Sequence, residues 1–168
     1  MRAYIGLGAN LDDRLEQLQR AVDLLHGTKG IRVLRSSRIY ETEPVGGPPQ
    51  GHYLNAVVEL ETDLAPRDLL LACLSVEERI GRARGVRWGP RRIDVDVLTY
   101  GEEQIHLDDP DLTIPHPLMH ERAFVLVPLA ELDPDPALPG GRRLEQLRLG
   151  TAALSGVQPY APPLRVPG

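Results

Sequence analysis

Two aspartates, Asp94 and Asp96, stand one residue apart in the run Arg87-Trp88-Gly89-Pro90-Arg91-Arg92-Ile93-Asp94-Val95-Asp96-Val97-Leu98. Successive side chains on a β-strand alternate faces, so these carboxylates point the same way, roughly 7 Å apart along the chain. Ile93, Val95 and Val97 then point into a core. Aspartate suits strands poorly, and like charges on neighbouring same-face positions repel unless a cation sits between them. Ordinary acids on a solvated sheet face are the plain alternative. The pair suits magnesium better, an ion that takes one or two carboxylates and completes its shell with phosphate oxygens and water. Arg82, Arg84, Arg87, Arg91 and Arg92 precede it closely, and guanidinium groups match phosphate geometry. Gly81, Gly85 and Gly89 would let this loop close as a lid. The chemistry this spells is metal-assisted phosphoryl or nucleotidyl transfer.

Other residues carry weaker signals. Trp88 fits a hydrophobic latch or simple packing equally well. Glu77, taken alone, reads as a solvent-facing acid. Thr113-Ile114-Pro115-His116-Pro117 holds His116 in extended chain between prolines, with Arg122 one to two helical turns further on. A structural role is the commoner fate of a lone histidine, while phosphate contact fits both residues. The chain has one Trp, five Tyr and one Phe. With so few aromatics, Tyr53, Trp88 and Phe124 beside polar motifs could stack on a flat ring, although the core is the simplest place for Phe124. Cys73, the only cysteine, sits in an apolar helical stretch and reads as a small buried hydrophobe. There is no P-loop and no kinase catalytic-loop signature, and Gly6-x-Gly8 lacks the third glycine of a dinucleotide fingerprint.

The elements that must position these groups follow from periodicity. Ala3 to Gly8 predicts a strand, whose Gly6 and Gly8 leave room for close backbone approach. Asp13 and Glu16 resemble a capping pair for a helix that ends near His26, with Gly27 as its stop. Ile31 to Thr42 predicts a second strand, Pro44 to Gly51 a loop, and Tyr53 to Thr62 a third strand. Pro66 opens a second helix, with Leu69, Leu70, Cys73, Val76 and Ile80 inward and Gly81 at its end. The strand with Asp94 and Asp96 follows. The order is βαββαβ, an α+β ferredoxin-like antiparallel sheet with helices on one face. Pro117 to Leu132 adds a C-terminal helical extension, expected to break near Pro128. Beyond Asp133 the chain is Pro/Gly-rich, with a short helix expected around Leu144 to Leu149.

At 168 residues, with 42% hydrophobic and 26% charged residues, the expectation is one soluble catalytic domain spanning 1–168, its core about 1–140. A net charge of -5 argues against nucleic acid as a partner. No secretory signal or membrane-length apolar run is visible, so no membrane association and a cytoplasmic location are expected.

The motifs together resemble the 6-hydroxymethyl-7,8-dihydropterin pyrophosphokinase family of the folate pathway. The matching pieces, in order, are Gly6-Leu7-Gly8-Ala9-Asn10-Leu11, Ser37-Arg38-Ile39-Tyr40-Glu41-Thr42, Tyr53-Leu54-Asn55-Ala56, Glu77, and Gly81-Arg82-Ala83-Arg84. Arg87-Trp88-Gly89-Pro90-Arg91 then runs into Asp94-Val95-Asp96, followed by Ile114-Pro115-His116-Pro117 and Glu121-Arg122-Ala123-Phe124. The resemblance implies transfer of a pyrophosphoryl group from ATP, the co-substrate, to the pterin hydroxymethyl oxygen, releasing AMP. Asp94 and Asp96 would bind two Mg2+ ions. Tyr53 and Phe124 would sandwich the pterin, and Asn55 with backbone groups of Thr42, Glu43 and Val45 would read its edge. Arg82, Arg84, Arg91, His116 and Arg122 would hold phosphates, with Glu77 near the nucleotide and Trp88 in the lid. Small molecules would be the only partners of a monomer. Departures from the family pattern are Gly85 at a frequent lysine, Glu43 at a frequent proline and Asp111 where some relatives have arginine. A nucleotidyltransferase with the same paired aspartates is the rival, distinguished by pyrophosphate release. An RNA-binding module is disfavoured because the sheet lacks the usual aromatic stacking motif.

Overall fold

The structure, a computed structural model, describes residues 1–10, 13–42, 52–83, 93–108, 110–144, 147 and 156–167, with the side chains of 82 and 83 left aside. In chain order the elements are β1 (Arg2–Ala9), α1 (Arg14–His26), β2 (Ile31–Ser36), β3 (Ile39–Thr42), β4 (Tyr53–Thr62), α2 (Pro66–Ala83) and β5 (Asp94–Tyr100). Then come β6 (Ile105–Asp108), β7 (Asp111–Ile114), α3 (Ala123–Leu132) and β8 (Val157–Ala161). The main sheet is antiparallel, ordered β5-β1-β4-β3-β8, with β2 also paired to β4.

Strand alternation sorts the sheet into two chemical faces. Ile5 and Leu7 of β1, Leu54, Ala56, Val58 and Leu60 of β4, and Val95 and Val97 of β5 enter one core. Leu18, Ala21, Val22 and Leu25 of α1 and Leu69, Cys73, Val76 and Ile80 of α2 cover them. Burial pushes the Cys73 thiol up to about 12, with the charges of Glu77 and Asp96 adding to the effect, so the thiol is inert as expected. The opposite face carries Gly6, Gly8, Asn55, Val57, Glu59, Asp94 and Asp96 by the same alternation. Part of it is covered by α3, whose Leu126, Leu129 and Leu132 pack with Val57 and Leu98.

Several expectations need correcting. Asp13 is the N-cap of α1, but its backbone is left-handed at φ 58° and it makes no side-chain cap bond, so no capping box forms. The expected strand over 31–42 is two strands, because the Ser37 hydroxyl takes the Val57 N–H at 2.9 Å in place of a backbone partner. Gly81 does not end α2, which runs on to Ala83. The segment 117–132 is a short 3-10 turn at Met119–Glu121, an extended Arg122, and then α3. α3 passes through Pro128 unbroken. Burying three leucines at about 2 kcal/mol each outweighs the roughly 3 kcal/mol cost of a helical proline. The β6–β7 hairpin was not anticipated. Nor was β8, which joins the main sheet beside β3, while Leu164 packs into the main core. The short helix expected over 144–149 falls mostly outside the described residues.

α3 is tied to the sheet by polar groups at its C-terminal end. Arg35 donates to the Leu132 carbonyl at 2.8 Å and to Glu59 Oε2 at 2.9 Å, and the Tyr4 hydroxyl donates to the same oxygen at 2.6 Å. Glu131 of α3 accepts from the Arg38 side chain and the Tyr40 hydroxyl. Burial alone would push the Glu59 carboxyl up, but the hydrogen bonds from Arg35 and Tyr4 prevail and hold it below its ordinary 4.5. A carboxyl with a depressed folded pKa contributes stability above its unfolded pKa, and loses it as pH falls through the folded value. Glu59→Gln should therefore lower stability by about 2 kcal/mol at pH 7. The deficit should shrink on acidification below 4.5, as read from urea midpoints at each pH.

Candidate active site

The floor of the site is built from register. Asp94 of β5 faces Gly8 of β1, and Asp96 faces Gly6. On the other side of β1, Gly8 faces Asn55 and Gly6 faces Val57 of β4. The two carboxylates and the Asn55 amide thus share one sheet face, separated by a strand with no side chains at the intervening positions. Thr42 of β3 lies opposite Tyr53 and accepts a 2.7 Å hydrogen bond at Oγ1 from Asn55 Nδ2. An added β-carbon at Gly8 would lie 3.1 Å from Asn55 Oδ1.

The wall comes from the chain after β7. The His116 N–H donates to the Leu98 carbonyl at 2.8 Å, fixing the histidine beside the strand that carries the aspartates. Its Nδ1 accepts from the Leu118 N–H at 3.2 Å, so the neutral ring carries its proton on Nε2. Burial, and then the charge of Arg122, lower the pKa of His116 from 6.5. A neutral Nε2–H donor at pH 7 is the consequence. Arg122 immediately precedes α3, and its guanidinium carbon lies 5.7 Å from the Phe124 ring centre. Burial, and then the charge of Asp94, raise the Tyr53 phenol above 10.0, so it stays protonated.

These groups enclose a cavity of about 520 Å³. Of the residues singled out in the sequence, Thr42, Tyr53, Asn55, Asp94, Asp96, His116, Arg122 and Phe124 line it. Glu77 does not: its Oε2 accepts the Val95 N–H at 2.8 Å, bracing β5 between the two aspartates. Glu43, Val45, Arg84, Gly85, Trp88 and Arg91 lie outside the described residues, as does the Arg82 side chain. Asp111 is exposed at the β6–β7 turn. Leu98, Leu118 and Glu121 also line the cavity and were not anticipated. Leu98 continues the every-second-residue pattern of Asp94 and Asp96, a signal present in the sequence. Two carboxylates on one face beside a ring-sized slot suit a hard cation that shares phosphate oxygens.

Two outcomes follow. Gly8→Ala should displace the Asn55 amide and weaken binding of a flat ring by about tenfold, measured by titration calorimetry, with little loss of stability. In NMR titrations the His116 ring should protonate below 6.5, and Arg122→Ala, by removing a like charge, should move it upward. Because the folded pKa is the lower, stability should rise with pH between the folded value and 6.5.

A family model described as 7,8-dihydro-6-hydroxymethylpterin-pyrophosphokinase matches residues 4–134. A 2-amino-4-hydroxy-6-hydroxymethyldihydropteridine pyrophosphokinase of Methylorubrum extorquens is 50% identical over 139 residues, covering 83% of this chain and 87% of the relative. One of the same name from Pseudomonas aeruginosa is 42% identical over 167 residues, covering 99% of this chain and 98% of the relative. Among solved structures, a Plasmodium falciparum HPPK-DHPS chain matches with a TM-score of 0.69 at 16% identity, over 87% of this chain and 44% of that one. At that identity the likeness bears on the fold alone.

Proposed function

The chain belongs to the 7,8-dihydro-6-hydroxymethylpterin-pyrophosphokinase family, and on that footing we propose that it transfers the β,γ-pyrophosphoryl group of ATP to the hydroxymethyl oxygen of 6-hydroxymethyl-7,8-dihydropterin. The observation that carries this reading is the shared floor. Carboxylates for a metal–phosphate complex and an amide for a ring edge open into one cavity, across a side-chain-free strand. The strand order β5-β1-β4-β3 also supports reading the sheet as ferredoxin-like.

In the reaction the alcohol oxygen bonds to the β-phosphorus, the bond from that phosphorus to the α,β-bridging oxygen breaks, and AMP leaves. The alcohol proton goes to an Asp96 carboxylate oxygen or to water. Asp94 and Asp96 would hold two Mg2+ ions, which when bound neutralise phosphate charge and acidify the alcohol. Tyr53 and Phe124 orient the pterin between them, and Asn55 reads its polar edge, with the backbone of Thr42, Glu43 and Val45. His116 donates Nε2–H to a phosphate oxygen without bringing net charge, while Arg122 supplies charge. Arg82, Arg84 and Arg91 would hold the phosphates, with Trp88 beside them in the sequence. Glu77 acts on the nucleotide side through the strand it braces. The chain works as a single catalytic domain, a monomer in the cytoplasm. Among the described residues no helix is long and apolar enough to cross a membrane.

Product analysis tests this directly. With ATP, Mg2+ and the pterin, AMP should form only when pterin is present, matched by pterin diphosphate. Pyrophosphate release would favour a nucleotidyltransferase, and ADP a simple kinase. Asp96→Ala should lower kcat by about 10²–10⁴-fold at saturating magnesium. Near-full turnover in that variant would remove Asp96 from the mechanism.

A further inference from the structure

The resemblance brings Thr42 to the pterin edge by its backbone, while its hydroxyl bonds beneath the amide that reads the ring. Thr42 and Asn55 are 7% and 6% exposed, so each meets solvent only through the cavity they line. Asn55 Nδ2 donates to Thr42 Oγ1 at 2.7 Å. A primary amide has two donor hydrogens and one acceptor oxygen, and rotating it by half a turn exchanges them. Asn55 Oδ1 sits beside Gly8, in space that a β-carbon there would enter to 3.1 Å.

We propose that the Thr42 hydroxyl is a positioning group for Asn55, anchoring its amide at 2.7 Å so that the opposite edge faces the cavity. This rests on the pyrophosphokinase reading above. With one Nδ2 hydrogen engaged by Thr42, Asn55 keeps Oδ1 and its second Nδ2 hydrogen for a ligand. That adjacent acceptor and donor match a ring edge bearing an N–H beside a C=O. The keto form of a 2-amino-4-hydroxypteridine presents such an edge. Thr42 therefore acts on the pterin through Asn55, not on the phosphates, and its effect belongs to pterin recognition. Valine has nearly the same shape as threonine but no acceptor. It would leave a buried amide N–H without a partner, or let the amide turn away from its reading orientation.

The test compares variants by steady-state kinetics with ATP, Mg2+ and the pterin. Thr42→Val should raise the pterin KM by about tenfold while the ATP KM moves by less than about twofold. The unmoved ATP KM doubles as evidence that the variant is folded. Thr42→Ser, which keeps the hydroxyl, should recover most of the loss. In an Asn55→Ala background, Thr42→Val should add nothing, since its route to the substrate is gone. An unchanged pterin KM in Thr42→Val, or a full tenfold loss added on top of Asn55→Ala, would overturn the inference alone. Wild-type protein that forms no pterin diphosphate would overturn the functional reading and this inference with it.

Discussion

The missing side chains at Gly6 and Gly8 are the constraint on which the site depends. β1 pairs directly with both β5 and β4, so whatever stands at positions 6 and 8 fills the gap between the aspartates and Asn55. Glycine in a strand interior costs conformational entropy and contributes no packing. Here the core on the opposite face offsets that cost, through Ile5 and Leu7 of the same strand. One strand thus does two jobs by alternation: hydrocarbon toward the helices, bare backbone toward the cavity.

The wall of the site depends on how α3 is moored. The helix has apolar groups on much of its surface and packs across the sheet face that carries the chemistry. Such packing leaves room to slide, whereas polar bonds fix position. Arg35 on the Leu132 carbonyl and Arg38 and Tyr40 on Glu131 pin its C-terminal end to β2 and the segment through β3. Its N-terminal end, with Arg122 and Phe124, is then presented to the cavity. Glu59 belongs to the same mooring: a carboxylate that is 3% exposed is tolerable there because Tyr4 and Arg35 bond to one of its oxygens and Arg2 pairs with the other.

The parts of this architecture legible in the sequence are those written in periodicity. The alternation of Leu54, Ala56, Val58 and Leu60 marks β4, and that of Ile93, Val95 and Val97 marks the orientation of Asp94 and Asp96. What could not be read depends on partners distant in the chain. The break at Ser37 exists because a hydroxyl meets Val57, and nothing local to Ser37 announces it. Phe124 reads as core in the sequence. In the structure it lines the cavity, because α3 lies on the site face of the sheet. Glu77 lies on the helix side of the sheet, so its spacing to Asp94 gave no hint that it would bond Val95. β8 was hidden by Pro159, which argues against a strand except at an edge, and an edge is where it lies.

That placement affects how molecules of this protein meet one another. An antiparallel sheet is vulnerable along its outermost strands, where unpaired backbone groups can template growth onto a neighbouring chain. Without β8, the strand bearing Thr42 would be such a rim. Val157–Ala161 covers it with a strand of only 5 residues interrupted by a proline, which has no N–H to offer an incoming chain. Beyond it the chain leaves the sheet to lie along α1, where Gln19 binds both backbone groups of Arg165. The segment therefore guards against intermolecular strand addition on the side of the sheet next to the ring-reading residues, a defence against aggregation.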